Sequence, residues 1–324
     1  MKNEKIWSYL IHLSYHMWDD ENTPPRSWYA PPRYTENNNV SVKAWDEIVG
    51  FLAECKYNML IVDVGDAIQY ESHPEISAPD AWDKDFLKKK LQEARALGLE
   101  VIPKLNFSCT HHTWLKKYRR MVGTPEYYAV CADVIREVCE AFGYPRFIHL
   151  GMDEEQQVKA PVLTREAYIM RGEALWWHDM NFYFSEAEKH GAQPWVWSDY
   201  YWRNSESFIK NMSRSAIQSN WFYQRFNKYP DGDLANKRIA TYEELDAHGF
   251  LQVPTASQCR GYDGALENTL ETLIHAQRKL TDANVLGFMM APWGDLTDDS
   301  VYYNKDGAIR LLRAREAVYP QTLK

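Results

Sequence analysis

Eight times along this chain a short apolar run gives way to a longer amphipathic segment, and no other feature restricts its possible folds so tightly. Short runs rich in β-branched and aromatic residues read as strands, and apolar residues recurring every three or four positions read as helices. The expected strands are 7–15, 59–64, 100–106, 147–151, 194–198, 216–221, 249–254 and 285–292. The expected helices are 41–56, 82–97, 125–142, 165–190, 206–211, 241–248, 265–282 and 300–316. Local chemistry supports several boundaries. Asp80 is placed to cap the second helix, with Asp83 and Asp85 in its first turn, and Gly98 and Gly191 stand where left-handed C-caps belong.

Eight such units in 324 residues, with no break in composition, predict an α/β fold: one (β/α)₈ TIM barrel spanning residues 1–324. The competitor is an open doubly wound sheet, which usually carries a Gly-rich loop after its first strand; here that loop is absent. No nucleotide or other cofactor motif accompanies the pattern, so no cofactor is expected. The balance of 37 basic and 45 acidic residues, a net charge of −8, argues against nucleic acid or an anionic membrane as partner. Five cysteines, Cys55, Cys109, Cys131, Cys139 and Cys259, form no CxxC pair and suit a reducing compartment. With no signal-peptide pattern and no run of about 18 apolar residues, the expectation is a soluble, cytoplasmic protein. Oligomeric state is left open.

Thirteen Trp and 21 Tyr exceed what a core needs, because each buried N–H or O–H must find a partner. Many of these rings are therefore expected in a cleft, where flat aromatic faces suit the C–H faces of sugars. The alternative is an aromatic-rich core or an oligomer interface.

In a barrel of this kind the active site gathers at the C-terminal ends of the strands. Read in order, those ends offer His12, Tyr15, His16 and Trp18, then Asp63 and Asp66, then Asn106, His111 and His112. Asp153, Glu154 and Glu155 follow, then Trp197 and Asp199, Trp221 and Tyr223, Thr255, Ser257 and Gln258, and finally Trp293 and Asp295. The stretch His149-Leu150-Gly151-Met152-Asp153-Glu154 is the most informative. Two adjacent carboxyls in a partly desolvated cleft disfavour joint ionisation, so one can stay protonated near neutral pH and act as a general acid. The plainer reading is an exposed acidic turn ahead of a helix.

That stretch resembles the His-x-Gly-x-Asp-Glu motif of family 20 glycoside hydrolases, the β-N-acetylhexosaminidases. Residues 56–60 leading to Gly65-Asp66 are similar to the family's second strand with its terminal acid. Residues 94–103 are similar to its approach to the third strand, with His111 or His112 where a His follows. Trp197, Trp221 and Trp293 stand where the family walls its sugar pocket, and Trp293-Gly294-Asp295 is similar to its Trp-x-acid element. The resemblance implies a glycosidase of terminal sugars in which Glu154 protonates the glycosidic oxygen. Asp153 would orient the substrate's own 2-acetamido group as nucleophile. It also implies substrate binding by Asp66, His111, Trp197, Trp221, Trp293 and Asp295; the strand-end reading adds His12, Asp199 and Tyr223, and no metal is expected.

The pattern departs from the family at three places: the first strand ends without an Arg, residues 103–106 read Pro-Lys-Leu-Asn, and the seventh strand lacks a matching Tyr, Tyr262 being distant. Three alternatives stay open. A glycosidase of different specificity would use a distant carboxylate, Asp199 or Asp295. A non-catalytic carbohydrate-binding barrel would keep the aromatic cleft alone. A metal-dependent hydrolase would gather His12, His16, His111, His112 and Asp66, although these lack a close His-x-His spacing. The basic cluster Lys116, Lys117, Arg119 and Arg120 reads as a solvated helix face.

Overall fold

The computed structural model describes residues 4–18, 35–155, 169–258 and 265–323. Tyr262, Cys259 and the Pro-rich, aromatic segment 24–34 lie outside the described residues. Eight parallel strands form the centre: β1 Ile6–His12, β2 Met59–Asp63, β3 Glu100–Lys104, β4 Phe147–His149, β5 Gln193–Trp197, β6 Ile217–Ser219, β7 Thr255–Ser257 and β8 Gly287–Ala291. Their hydrogen-bonded order is β6-β5-β4-β3-β2-β1-β8-β7. The ring closes between its two ends, where Gln218 N donates to Leu251 O at 2.8 Å, Val253 N to Gln218 O at 2.9 Å and Thr255 N to Asn220 O at 3.0 Å. Around the ring lie α1 Val42–Glu54, α2 Lys84–Ala96, α3 Pro125–Ala141, α4 Glu173–Lys189, α5 Tyr201–Asn211, α6 Leu234–Ala247, α7 Ala265–Lys279 and α8 Val301–Val318. The expected (β/α)₈ barrel is the observed fold.

The pleat of each strand sorts its side chains between two cores. Ile6 and Leu10 of β1, Met59 and Ile61 of β2, Ile102, Phe147, Trp195, Ile217 and Met289 pack together inside the ring. The alternate residues, among them Trp7, Tyr9, Ile11, Leu60, Val62, Val101, Ile148 and Phe288, pack outward beneath the helices. Two residues further along several strands, the same inward positions turn polar: Leu10 gives way to His12, Ile61 to Asp63, Ile102 to Lys104 and Phe147 to His149. The barrel is thus apolar below and ionisable above. Among the described residues no helix is long and apolar enough to cross a membrane.

Several local expectations are corrected. The seventh strand is Thr255–Ser257 rather than 249–254, because Pro254 has no N–H for the ladder and Gln252 makes only isolated bridges to Gln218 and Val285. Asp83 caps α2 by accepting from Phe86 N at 2.8 Å, whereas Asp80 accepts from Asn38 N and Asn39 N at 2.8 Å each. The fifth and sixth helices begin earlier than expected, at Tyr201 and Leu234. The basic cluster falls in a short 3₁₀ helix, Thr113–Arg120, where Lys116 donates to Asp66 at 2.7 Å. Gly98 and Gly191 take the left-handed C-cap conformation, at φ 90° and 77°.

The strands approach closely where β1 meets β8. A Cβ on Gly287 would lie 1.9 Å from Ile6 O and 2.6 Å from Ile6 C, both backbone atoms that cannot yield without opening the ladder. Gly50, inside α1, has nothing within 4 Å of its missing Cβ. Gly287→Ala is therefore expected to destabilise the fold by about 1–3 kcal/mol or more. Gly50→Ala is expected to stabilise it by up to about 1 kcal/mol. Urea denaturation of the two variants checks the opposed signs.

Candidate active site

Beyond His149 the chain turns out of the barrel through an unusual backbone. Gly151, Met152 and Glu154 all have positive φ, at 70°, 70° and 54°. Only the glycine adopts this region without strain, and non-glycine residues held there cluster at functional sites. Asn106, just past β3, holds the turn. Its Oδ1 accepts from Met152 N and Ser108 N, both at 3.1 Å, and its Nδ2 donates to Asp153 Oδ1 at 2.8 Å. The contact leaves no room for a side chain at 151, since a Cβ there would lie 2.2 Å from Asn106 Oδ1.

Asp153 and Glu154 are brought together with two further expected residues. His111 Nε2 lies 3.6 Å from Glu154 Oε2 and 3.8 Å from Asp153 Oδ2, and its Nδ1 is 2.7 Å from Thr110 Oγ1. Asp199, two residues past β5, accepts from Glu154 N at 2.8 Å. Side-chain exposure is only 5% for Asp153 and 14% for Glu154. This is no solvated acidic turn. Burial, reinforced by the neighbouring Asp153 charge, pushes the Asp199 carboxyl up to about 8.

Glu155 faces away from this group, into a buried support. It accepts from Ser108 Oγ at 2.9 Å and Cys109 N at 2.8 Å and pairs with Arg171 at 3.1 Å. Arg171 in turn binds Asp179 at 2.6 Å and the hydroxyl of Tyr183 at 3.0 Å. Sequence reading missed Arg171, because its partners come from four separate segments and no spacing announces them.

The polar layer at the top of the barrel forms the floor. Lys104 Nζ donates to Asp63 Oδ2, and His12 Nδ1 lies 3.2 Å from the same oxygen. Burial works to raise the Asp63 carboxyl, but Lys104 and His12 outweigh it and hold Asp63 ionised. His12 is pulled below the usual histidine range by burial, against Asp63, and is neutral. With Nδ1–H directed at Asp63, its Nε2 keeps a lone pair, and that atom has no partner among the described residues. His149 is the reverse case. Gly151 N donates to its Nδ1 at 3.1 Å, burial and Lys104 keep it neutral, and its Nε2, which has no partner among the described residues, carries the proton. This buried layer thus holds one acceptor and one donor.

Aromatic rings form a continuous wall around these groups. His12 stacks on Trp293 at 5.3 Å, Trp293 lies 5.8 Å from Trp197, and Trp197 lies 4.7 Å from His149. Trp293 Nε1 donates to Tyr223 OH at 3.1 Å, and Tyr223 stacks on Trp221 at 4.9 Å. Trp18 joins the wall to the acids, with ring distances of 6.4 Å to Trp293 and 5.5 Å to His111. Trp293 is also backbone-strained, at φ 53°. The wall uses few of the indoles. Trp7, Trp45, Trp114, Trp176 and Trp195 are buried, which corrects the expectation that many stand in a cleft. Two of these find their N–H partner inside: Trp114 donates to Asn106 O at 2.9 Å and Trp195 to Ser219 Oγ at 2.7 Å.

Asp66 and Asp295 have partners of their own. Asp66 is fully buried and binds Ser14 Oγ at 2.7 Å, His16 Nδ1 at 2.9 Å and Lys116 Nζ at 2.7 Å. Half-buried Asp295 accepts from Thr297 Oγ1 at 3.3 Å. On β7 and after it, Ser257 donates to Ala291 O at 2.6 Å and Gln258 to Asp306 at 2.6 Å, so both side chains tie the barrel together.

No protein-family model matches the chain, and no curated protein matches it in sequence. Solved structures do match in shape. A β-N-acetylhexosaminidase from Bacteroides fragilis NCTC 9343 superposes with a TM-score of 0.64 over 98% of this chain and 71% of its own, at 13% identity. A GH20 exo-β-N-acetylglucosaminidase from Vibrio harveyi, solved with N-acetylglucosamine, gives a TM-score of 0.63 over 99% of this chain at 11% identity. The chain spans only 58% of that enzyme's length. Dispersin B gives 0.58 over 97% of this chain and 99% of its own, at 13% identity. The barrel is therefore of the kind found in β-N-acetylhexosaminidases; at such identities the likeness is one of fold.

The support behind the acids yields a prediction. Arg171→Met removes one buried charge and leaves Glu155 and Asp179 unpaired in the interior, and is expected to cost about 3–5 kcal/mol. Chemical denaturation at pH 7 measures it; a loss below 1 kcal/mol would mean that the network is solvated.

Proposed function

We propose that this chain is a glycoside hydrolase of the β-N-acetylhexosaminidase type that removes terminal sugars. The observation that carries the reading is the strained turn after β4, which holds Asp153 and Glu154 nearly enclosed beside an aromatic wall. Glu154 gives its proton to the glycosidic oxygen as the bond to the anomeric carbon breaks. The substrate's 2-acetamido oxygen attacks that carbon, and Asp153, kept in place by Asn106, orients the acetamido N–H and offsets the positive charge that develops. Water then opens the cyclic intermediate, and Glu154 takes its proton back.

Two observations favour the substrate's own nucleophile over an enzyme carboxylate. Burial and the Asp153 charge favour the protonated form of Asp199, and its Oδ2 is taken up by Glu154 N, both of which weaken it as a nucleophile. Asp295 is engaged with Thr297. Where the family's first strand ends in an Arg, His12 offers a hydroxyl acceptor and His149 a donor, a floor suited to neutral sugar hydroxyls. Half-buried Trp293 supplies a stacking face, with buried Trp197, Trp221 and Tyr223 packed against it.

Turnover of aryl glycosides with and without a 2-acetamido group tests the reading. Wild type is expected to cleave only the acetamido compounds, and Glu154→Gln is expected to lower kcat by about 10²–10⁴-fold while product sugar still binds. Equal turnover of plain glycosides would require another nucleophile. Sugar binding without any turnover would favour a carbohydrate-binding barrel.

A further inference from the structure

We propose that Asp199 is a positioning residue for Glu154: its Oδ2 captures the Glu154 N–H and so holds the left-handed turn on which the general acid stands. The inference rests on the hydrolase reading for the role of Glu154, and on geometry for the clamp itself. A glutamate at φ 54° needs a partner to keep it there, and the 2.8 Å bond from its N–H to Asp199 supplies one from the neighbouring strand. Asp199 is itself anchored. It lies two residues past β5, where Tyr201 N donates to Ser198 O and Trp202 N to Asp199 O, both at 3.0 Å, as α5 begins.

Burial and the Asp153 charge favour the protonated form of the clamp. Asp199 Oδ1 is buried with no partner among the described residues. The ionisable groups around it are Asp153 and Glu154 from the segment after β4, with His111 from the segment after β3 reaching those two acids. Burial and the Asp153 charge together raise the carboxyl to about 8. Oδ2 accepts while Oδ1 keeps the proton. Asparagine reproduces that state, with its oxygen in place of Oδ2 and its NH₂ in place of the protonated Oδ1. Above the clamp's pKa Asp199 carries a negative charge beside that of Asp153, and their repulsion works against the closed turn.

The test compares wild type, Asp199→Asn and Asp199→Ala. Asp199→Ala is expected to lower kcat by about 10²-fold with KM little changed, as a small displacement of an acid does. Asp199→Asn is expected to recover most of that loss. It should also abolish the alkaline limb that wild type shows near pH 8. Two readouts do not need turnover. Hydrogen–deuterium exchange should show the amide of Glu154 protected in wild type and Asp199→Asn and unprotected in Asp199→Ala. Infrared difference spectra should show a protonated-carboxyl band that titrates near pH 8 in wild type and is absent from Asp199→Asn. An Asn variant as impaired as the Ala variant, equal Glu154 protection in all three proteins, or no such band would each overturn the proposal. If wild type cleaves no glycoside while exchange and infrared results hold, the hydrolase reading falls and the clamp stands.

Discussion

The grip of one carboxamide on one turn organises the site. Asn106 accepts from Met152 N, donates to Asp153 Oδ1 and occupies the space that any side chain at position 151 would need. That single group links β3 to the segment after β4 and sets where the two acids emerge. The strain of positive φ at Met152 and Glu154 costs about 1–3 kcal/mol per residue, so the turn persists only while such partners hold it. Asp199 holds it from the β5 side and Arg171, through Glu155, from beneath.

Those acids stand above a barrel whose interior changes character over one pleat. Apolar residues fill the lower layers, and His12, Asp63, Lys104 and His149 replace them at the top. Lys104 and Asp63 are almost fully buried, an arrangement that is costly unless each charge is paired, and here each is. Their pairing has a chemical consequence. It leaves two neutral imidazoles of opposite hydrogen-bonding sense beneath the aromatic wall, and keeps the fixed charge of Lys104 committed to Asp63 rather than to a ligand.

The fold was legible because the alternation of strand and helix is written in local periodicity, and the positions of Asp153 and Glu154 followed from counting strands. The seventh strand was misplaced because the apolar run 249–254 precedes a proline, and the ladder resumes only beyond it. The partners of Asp66, which are His16, Lys116 and Ser14, were not legible in sequence, because those contacts join residues about 50 positions apart. The tryptophan count signalled a cleft, but most indoles serve the packing, because interior carbonyls and hydroxyls satisfy several of their N–H groups. Lys104 was noted only as a departure from a pattern. Its pairing with Asp63 depends on the register of β2 against β3, which sets Asp63 beside Lys104.

The account stands or falls on whether the attack on the anomeric carbon comes from within the substrate. Proton NMR of the first sugar released from an aryl 2-acetamido-β-glycoside, recorded before mutarotation, tests the double displacement that such an attack requires. Displacement by the acetamido group followed by water gives the β-anomer first. The α-anomer as first product would mean a single displacement by water from the opposite face, and would contradict the roles assigned to Asp153 and Glu154.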